Sequence, residues 1–174
     1  MARDILKTLR AEHDELRKLF AAMEETTDRG VKKRQELLGK IEKGLLPHAK
    51  WEETVFYPAF KERADRDGLK TVAEAIAEHS AVEQTTIPMV MAAEKGTPEF
   101  AGRVKVFGEM IDHHASEEET TMFKMARMMF SKEELAELDE QYEAWKVSKT
   151  GMATVAFEKA KATVKGAASA VFSG

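Results

Sequence analysis

The sequence predicts an all-α protein: an up-down-up-down four-helix bundle, followed by a short fifth helix and a C-terminal amphipathic tail. Three observations predict it. Apolar residues recur at helical spacing over four long segments, while strand-like alternation is essentially missing. The connections are short, and short connections force neighbouring helices to run antiparallel. Finally, ten letters are nearly written twice: HAKWEETVFY from His48 to Tyr57 and HASEEETTMF from His114 to Phe123, 66 residues apart. A repeat of that kind names the architectural unit, here a helical hairpin.

The elements follow in order. Over residues 3–27, Ile5, Leu9, Leu16, Phe20 and Met23 share one helical face, and His13 falls on it. DRG at 28–30 breaks this helix. A second helix is expected over 32–64, with Leu38, Ile41, Leu45, His48, Glu52, Val55 and Phe56 near one stripe. Pro47 lies inside it and should kink or divide it. DRDG at 65–68 reads as a turn. A third helix covers 69–95, and EKGTPE at 94–99 joins a C-terminal glycine to a proline just inside the next helix. The fourth runs over 98–129, with Phe100, Val104, Phe107, Ile111, His114, Glu118, Met122 and Met125 on its inner side. SKEE at 131–134 is a capping box that opens a fifth helix ending near 147. The expected organisation is a bundle over 1–130, an added helix over 131–148, and an Ala/Lys-rich tail over 149–174, helical or partly disordered.

Composition limits the function. The 174 residues suit one domain with a sizeable core. A net charge of -4 argues against nucleic-acid partners, which want a basic face. The absence of cysteine removes disulfides, thiolate metal sites and cysteine nucleophiles, so any metal site must use nitrogen and oxygen donors. MARDILKTLRAEHDE has no apolar h-region, and no run of about eighteen apolar residues follows, so a cytoplasmic location is expected.

The histidines carry the chemistry. His13 and His48 are 35 residues apart, as are His79 and His114, and 66 residues relate the two pairs. AEH at 11–13 recurs at 77–79. The midpoints of the pairs fall at Gly30–Val31 and Gly96–Thr97, which are the expected turns. Residues equidistant from the turn of an antiparallel hairpin lie at one height, roughly 20–25 Å from it at 1.5 Å per residue. All four helices therefore bring one histidine to one level. Glu52 and Glu118 follow His48 and His114 by one turn, on the same face. One histidine on an apolar face is commonly a hydrogen-bonded core residue. Four at one level, two followed by Glu, on faces otherwise built of Leu, Ile, Phe and Met, point to a metal centre, because unpaired buried polar groups are costly. Carboxylates can bridge two ions while imidazoles fill outer positions; iron suits that N/O set, and manganese accepts similar ligands.

These motifs resemble those of hemerythrin-like proteins that carry the HHE cation-binding domain. Their pattern is a histidine on the first helix, H-x-x-x-E on the second, a histidine on the third and H-x-x-x-E on the fourth; here His13, His48/Glu52, His79 and His114/Glu118, over about residues 5–130. The resemblance implies a non-haem centre of two iron ions with an oxo or hydroxo bridge, and Glu52 and Glu118 as bridging carboxylates. Two departures stand out. Oxygen-carrying members place a histidine four residues after the third-helix histidine, where this chain has Glu83. Glu83 is either a seventh metal ligand, whose anionic charge favours the ferric state, or a partner to a ligand histidine, or a solvated side chain. The fourth helix carries the doublet His113-His114; the repeat selects His114 and leaves His113 behind the ligands or on the surface. Tyr57 reads as a core residue that can also donate a hydrogen bond near the centre. The methionines of the second hairpin read as flexible packing rather than copper ligands. Tail residues Met152, Val155, Ala156, Ala160, Val164, Ala167 and Val171 recur at helical spacing beside four lysines; packing or fraying is favoured over membrane association.

The functional expectation is a di-iron protein that handles dioxygen, peroxide or nitric oxide, with an unidentified electron donor. An oxygen- or peroxide-reactive di-iron protein ranks first, with peroxide decomposition of catalase or peroxidase type as an activity open to it. A reversible carrier or sensor of oxygen, nitric oxide or iron ranks second. A vestigial bundle ranks third.

Overall fold

A computed structural model describes the backbone of residues 3–171 and the side chains of residues 3–165. The side chains of the expected tail residues Ala167 and Val171, and the outermost residues of the first and last expected domain spans, lie outside these limits. Among the described residues the chain is an all-α bundle, as the periodicity predicts. Helix α1 spans Ile5–Glu24. The second helix of the bundle is built from α2 (Val31–Trp51), a π-helical segment (Glu52–Phe56) and α3 (Tyr57–Lys61). The third is α4 (Arg66–Ala81), a π segment (Val82–Thr86) and α5 (Ile87–Ala92). The fourth is α6 (Pro98–Glu117), a π segment (Glu118–Met122) and α7 (Phe123–Met129). Helices α8 (Lys132–Val147) and α9 (Lys149–Val171) follow.

The ends obey local rules. Asp4, Thr97 and Ser131 cap α1, α6 and α8 by accepting backbone N–H bonds, and Ser131 with Glu134 completes the expected capping box. DRDG is not a free turn: Asp65 caps α4 through the Gly68 N–H at 3.0 Å, so the helix opens inside that tetrapeptide. Helix α2 runs unbroken over Pro47. The interruptions fall instead at the three π segments, where N–H groups reach back five residues: Tyr57 to Glu52, Ile87 to Val82 and Phe123 to Glu118. Pro58 and Pro88 follow two of them. A widened turn tolerates the missing proline N–H, which a regular helix would need for its ladder. The third has Lys124 at that place, so proline is not the whole cause.

Side chains divide the interior into two apolar cores. One gathers Leu6, Leu9, Trp51, Phe56, Tyr57, Phe60, Phe123 and Tyr142. The other gathers Leu16, Phe20, Leu38, Ile41, Leu45, Phe100, Phe107 and Ile111. His13, His48, Glu52, His114 and Glu118 are buried between them. Each large apolar side chain contributes about 1.5–3 kcal/mol by leaving water, which is what holds this ionisable layer in place. At the turn end, buried Arg34 ties both hairpin loops together, donating to Thr26 Oγ1 at 2.8 Å, the Lys95 carbonyl at 2.6 Å and Asp28 Oδ1 at 3.1 Å.

The last two helices clothe different sides. Helix α8 packs on α1, and α9 packs on α5 and α2. Gly151 permits the reversal between them: a Cβ there would meet the Trp145 carbonyl and ring, so only glycine lets α9 start so close to α8. The described stretch of the tail is helical and seats Ala162 in the second core.

Candidate metal centre

The π segments position the carboxylates. Glu52 and Glu118 each stand at the first residue of a widened turn, one turn after His48 and His114. The widened turn lets consecutive glutamates serve one site. Glu52 faces inward while Glu53 reaches His79; Glu118 faces inward while Glu119 reaches His13. Single-turn π insertions are frequent at functional sites for this reason.

The four imidazoles meet in two pairs. His13 Nε2 lies 3.0 Å from His48 Nε2, and His79 Nε2 lies 3.0 Å from His114 Nε2. Glu52 Oε1 is 3.0 Å from His48 Nε2, and its Oε2 is 3.6 Å from His79 Nε2. Glu118 Oε2 is 3.4 Å from His13 Nε2 and 3.8 Å from His114 Nε2. Each carboxylate therefore spans both pairs. The Tyr57 hydroxyl donates to Glu118 Oε1 at 2.8 Å and lies 3.4 Å from His79 Nε2. Burial raises the Tyr57 pKa well above its ordinary value and the Glu118 charge raises it further, so this phenol keeps its proton and acts as a donor.

The outward nitrogens have carboxylates of their own. His13 Nδ1 donates to Glu119 at 3.0 Å, His48 Nδ1 to Glu12 at 2.8 Å, His79 Nδ1 to Glu53 at 3.0 Å and His114 Nδ1 to Glu78 at 2.7 Å. An ionised carboxylate only accepts, so each Nδ1 carries a hydrogen, and in the neutral ring Nε2 then presents its lone pair inward. The sequence reading missed these four glutamates as a set. Their signal was present: Glu12 and Glu78 belong to the repeated AEH, and Glu53 and Glu119 to the repeated ten letters.

The donors fit a metal. Two bare Nε2 atoms at 3.0 Å repel unless a proton or a cation stands between them. Glu52 Oε1 and Oε2 and Glu118 Oε2 are buried without a hydrogen-bond partner, a cost that native interiors rarely leave uncompensated. The electrostatics already favour positive charge. Burial lowers the His48 pKa, but Glu52 and Glu12 outweigh it and hold it well above the usual imidazole value. Burial likewise opposes His114, and Glu118 and Glu78 raise it on balance. Burial would raise Glu118, yet the His114 and His13 rings pull it far below the carboxylate range. His13, His48, Glu52 and Glu118 form one set with cation-binding spacing, and Glu52, His79 and His114 form a second, sharing Glu52. Each set combines nitrogen and oxygen donors of the kind that first-row metal ions accept.

The structure thus brings six of the seven expected residues together: His13, His48, Glu52, His79, His114 and Glu118. It does not bring Glu83. Its carboxylate accepts from Lys50 Nζ at 3.2 Å and from Lys161 of α9. Burial pushes the Glu83 pKa up, but Lys161 and Lys50 outweigh that and hold it at about 2. Sequence spacing put Glu83 one turn after His79; the π segment starting at Val82 and the docking of α9 turned it to the two lysines instead. His113 stands on the surface.

A cavity of about 40 Å³ adjoins the centre, lined by all four ring histidines with apolar residues such as Leu16, Leu45, Val82 and Ile111, and also by Lys50, Glu53, Glu78 and Glu83. One water needs about 10–15 Å³ by this measure, so the space suits a molecule of two or three heavy atoms.

The family model of the hemerythrin HHE cation binding domain matches residues 4–126. The chain belongs to this family. The HHE architecture is repeated in a crystal structure of a hemerythrin HHE cation binding domain-containing protein from Mycobacterium kansasii, with TM-score 0.72 over 90% of this chain and 99% of that one, at 22% identity. At that identity the likeness concerns the fold. A DNA nickase from Nostoc sp. is 28% identical over 143 residues, 82% of this chain. The chain spans only 39% of that relative's length. The hemerythrin resemblance read from the His and Glu spacing is therefore borne out, and the centre described above lies wholly inside the matched HHE region.

Proposed function

We propose that this HHE domain holds two iron ions between its facing histidine pairs and uses them to react with dioxygen or a reactive species such as peroxide or nitric oxide, peroxide decomposition being one such reaction. The observation that carries this reading is the pair of buried carboxylates, three of whose four oxygens lack a hydrogen-bond partner, set among four imidazole rings. His13, His48 and Glu118 would hold one ion, His79 and His114 the other, with Glu52 shared. Bound iron would supply redox chemistry at an open coordination position.

The chain's own residues supply the rest. The four outer glutamates fix ring orientation and strengthen each Nε2 as a donor. Tyr57 pins Glu118 through Oε1 and leaves Oε2 directed at the rings. The cavity walls, apolar over most of their surface, admit a small molecule and limit water. Glu83, held by two lysines, leaves no third-helix imidazole one turn after His79, where oxygen carriers of the resemblance have one; this supports redox turnover over reversible carriage. The net charge of -4 argues against extending the activity for which the DNA nickase is named to this chain.

The test is metal content with an absorption spectrum, on protein reduced without oxygen and then exposed to it. Two irons per chain and a near-ultraviolet ferric band that persists until reductant is added support the reading. A band that vacuum reverses favours a carrier. No metal after reconstitution with iron or manganese overturns it.

A further inference from the structure

A second group of donors stands beside the centre on one side only. Glu78 of α4 accepts from His114 Nδ1 through Oε2 at 2.7 Å. Its other oxygen, Oε1, lies 3.4 Å from His113 Nε2, and the same nitrogen lies 3.4 Å from Glu117 Oε1, one turn along α6. One nitrogen and two oxygens thus come within 4.8 Å of one another. A spacing of about 3.4 Å is the edge of a tetrahedron whose ligand bonds are about 2.0–2.1 Å long.

The duplicated half supplies an independent observation. Glu12 corresponds to Glu78 through the 66-residue shift, and it accepts from His48 Nδ1 in the same way, at 2.8 Å. Its outer oxygen, Oε1, already meets a cation: Lys146 Nζ of α8 at 3.1 Å. The counterparts of His113 and Glu117 in that half are Pro47 and Trp51, and Trp51 is buried against Tyr142 of α8, with ring centroids 4.9 Å apart. One half thus meets the outer carboxylate oxygen with an ammonium from its own chain. In the other half the equivalent oxygen faces His113, which in turn meets Glu117, and both are open to solvent, at 65% and 50% exposure.

We propose that Glu78, His113 and Glu117 form a peripheral site for a divalent first-row transition ion such as zinc or ferrous iron. The mixed N/O donor set suits these ions. The site is joined to His114 by one carboxylate, so a cation on Glu78 Oε1 draws charge away from the bond to His114 Nδ1. It acts on the His79/His114 half alone. That coupling rests on the metal-centre reading above; the site itself does not.

The experiment is a zinc titration by calorimetry of iron-loaded protein, wild type against His113→Ala and Glu117→Gln, with iron content measured on each. Both substitutions are on the surface and leave Glu78 in place. The expected result is one zinc equivalent in the wild type, lost or weakened at least tenfold in each variant, with iron content unchanged. No zinc bound to the wild type, or an equivalent that survives in the double variant, overturns the proposal. If the chain takes up no iron, the centre reading fails by itself, and a one-equivalent difference between iron-free wild type and His113→Ala still decides the peripheral site.

Discussion

The two halves of the centre are built from one repeated pattern and backed by different surroundings. In both, an Nδ1–H is held by the glutamate that precedes the histidine of the neighbouring helix: His48 by Glu12, His114 by Glu78. Behind Glu12 stand Tyr142, donating at 2.8 Å, and Lys146, both from α8. Behind Glu119, the partner of His13, stand Arg10 at 3.0 Å and Arg17 at 2.9 Å. The second half has Lys50 behind Glu53, at 2.8 Å, and the surface pair His113–Glu117 near Glu78. The repeat supplies ligands in matching places. Helix α8, outside the repeat, and the unrepeated side chains Arg10 and Arg17 then surround one half with cations, while Glu78 of the other half faces a surface pair, so the halves of a near-symmetric cage become inequivalent.

The largest effect should come from removing what the halves share. Glu52→Ala takes a fully buried carboxylate from both donor sets, and bound iron should fall from two per chain to none, as elemental analysis would show. An unchanged two-iron content would refute a shared role for Glu52.

Next comes the difference itself. Glu12→Ala strands the buried Tyr142 hydroxyl, Lys146 and His48 Nδ1, whereas Glu78→Ala strands His114 Nδ1 beside solvent-facing His113. Leaving a buried polar group unsatisfied costs about 1–3 kcal/mol. Urea unfolding of metal-free protein should therefore show Glu12→Ala as the more damaging by at least about 1 kcal/mol. Equal losses would mean that α8 adds nothing to the first half.

A smaller effect should appear in the pH profile of metal-free protein. Glu12 has a folded pKa lowered from 4.5 to about 2: burial opposes the shift, but His48 and Lys146 outweigh it. Its contribution is complete above pH 4.5 and is lost as pH falls through about 2. His48 and His114 have folded values raised above 6.5; their contribution is complete below 6.5 and is lost as pH rises through those folded values. Melting temperature should therefore peak between pH 4.5 and 6.5. Filling the centre with metal should abolish the alkaline decline, because neutral imidazole is then the favoured form. A decline unaltered by metal would argue against histidine ligation.

Least of all should follow from Lys161→Ala. Its bonds to Glu83 and Glu158 lie near the surface, and Lys50 still holds Glu83. Such pairs contribute about 1 kcal/mol or less. A larger loss in thermal unfolding would mean that α9 depends on this one contact.

Much of the fold and the inner site was written locally. The spacing of apolar residues set the helices, and the equal distances of His13, His48, His79 and His114 from their turns set a common level, because rise per residue is fixed by the backbone hydrogen bond. The i, i+4 step put Glu52 and Glu118 on the same faces as their histidines. The π segments were not read, since one of the three lacks the following proline that marks the other two. Which carboxylate holds which Nδ1 was not legible either: Glu12 serves a histidine 36 residues away, and Glu119 one 106 residues away. Those pairings depend on how each helix is rotated about its axis and which neighbour it meets. Glu83 is the clearest case. Its helical position was fixed by sequence, yet its partner Lys161 lies 78 residues on, in a helix whose docking on α5 and α2 depends on packing. Local periodicity determined where each group sits along its helix; only the close-packed tertiary structure decided what each group meets across the gap.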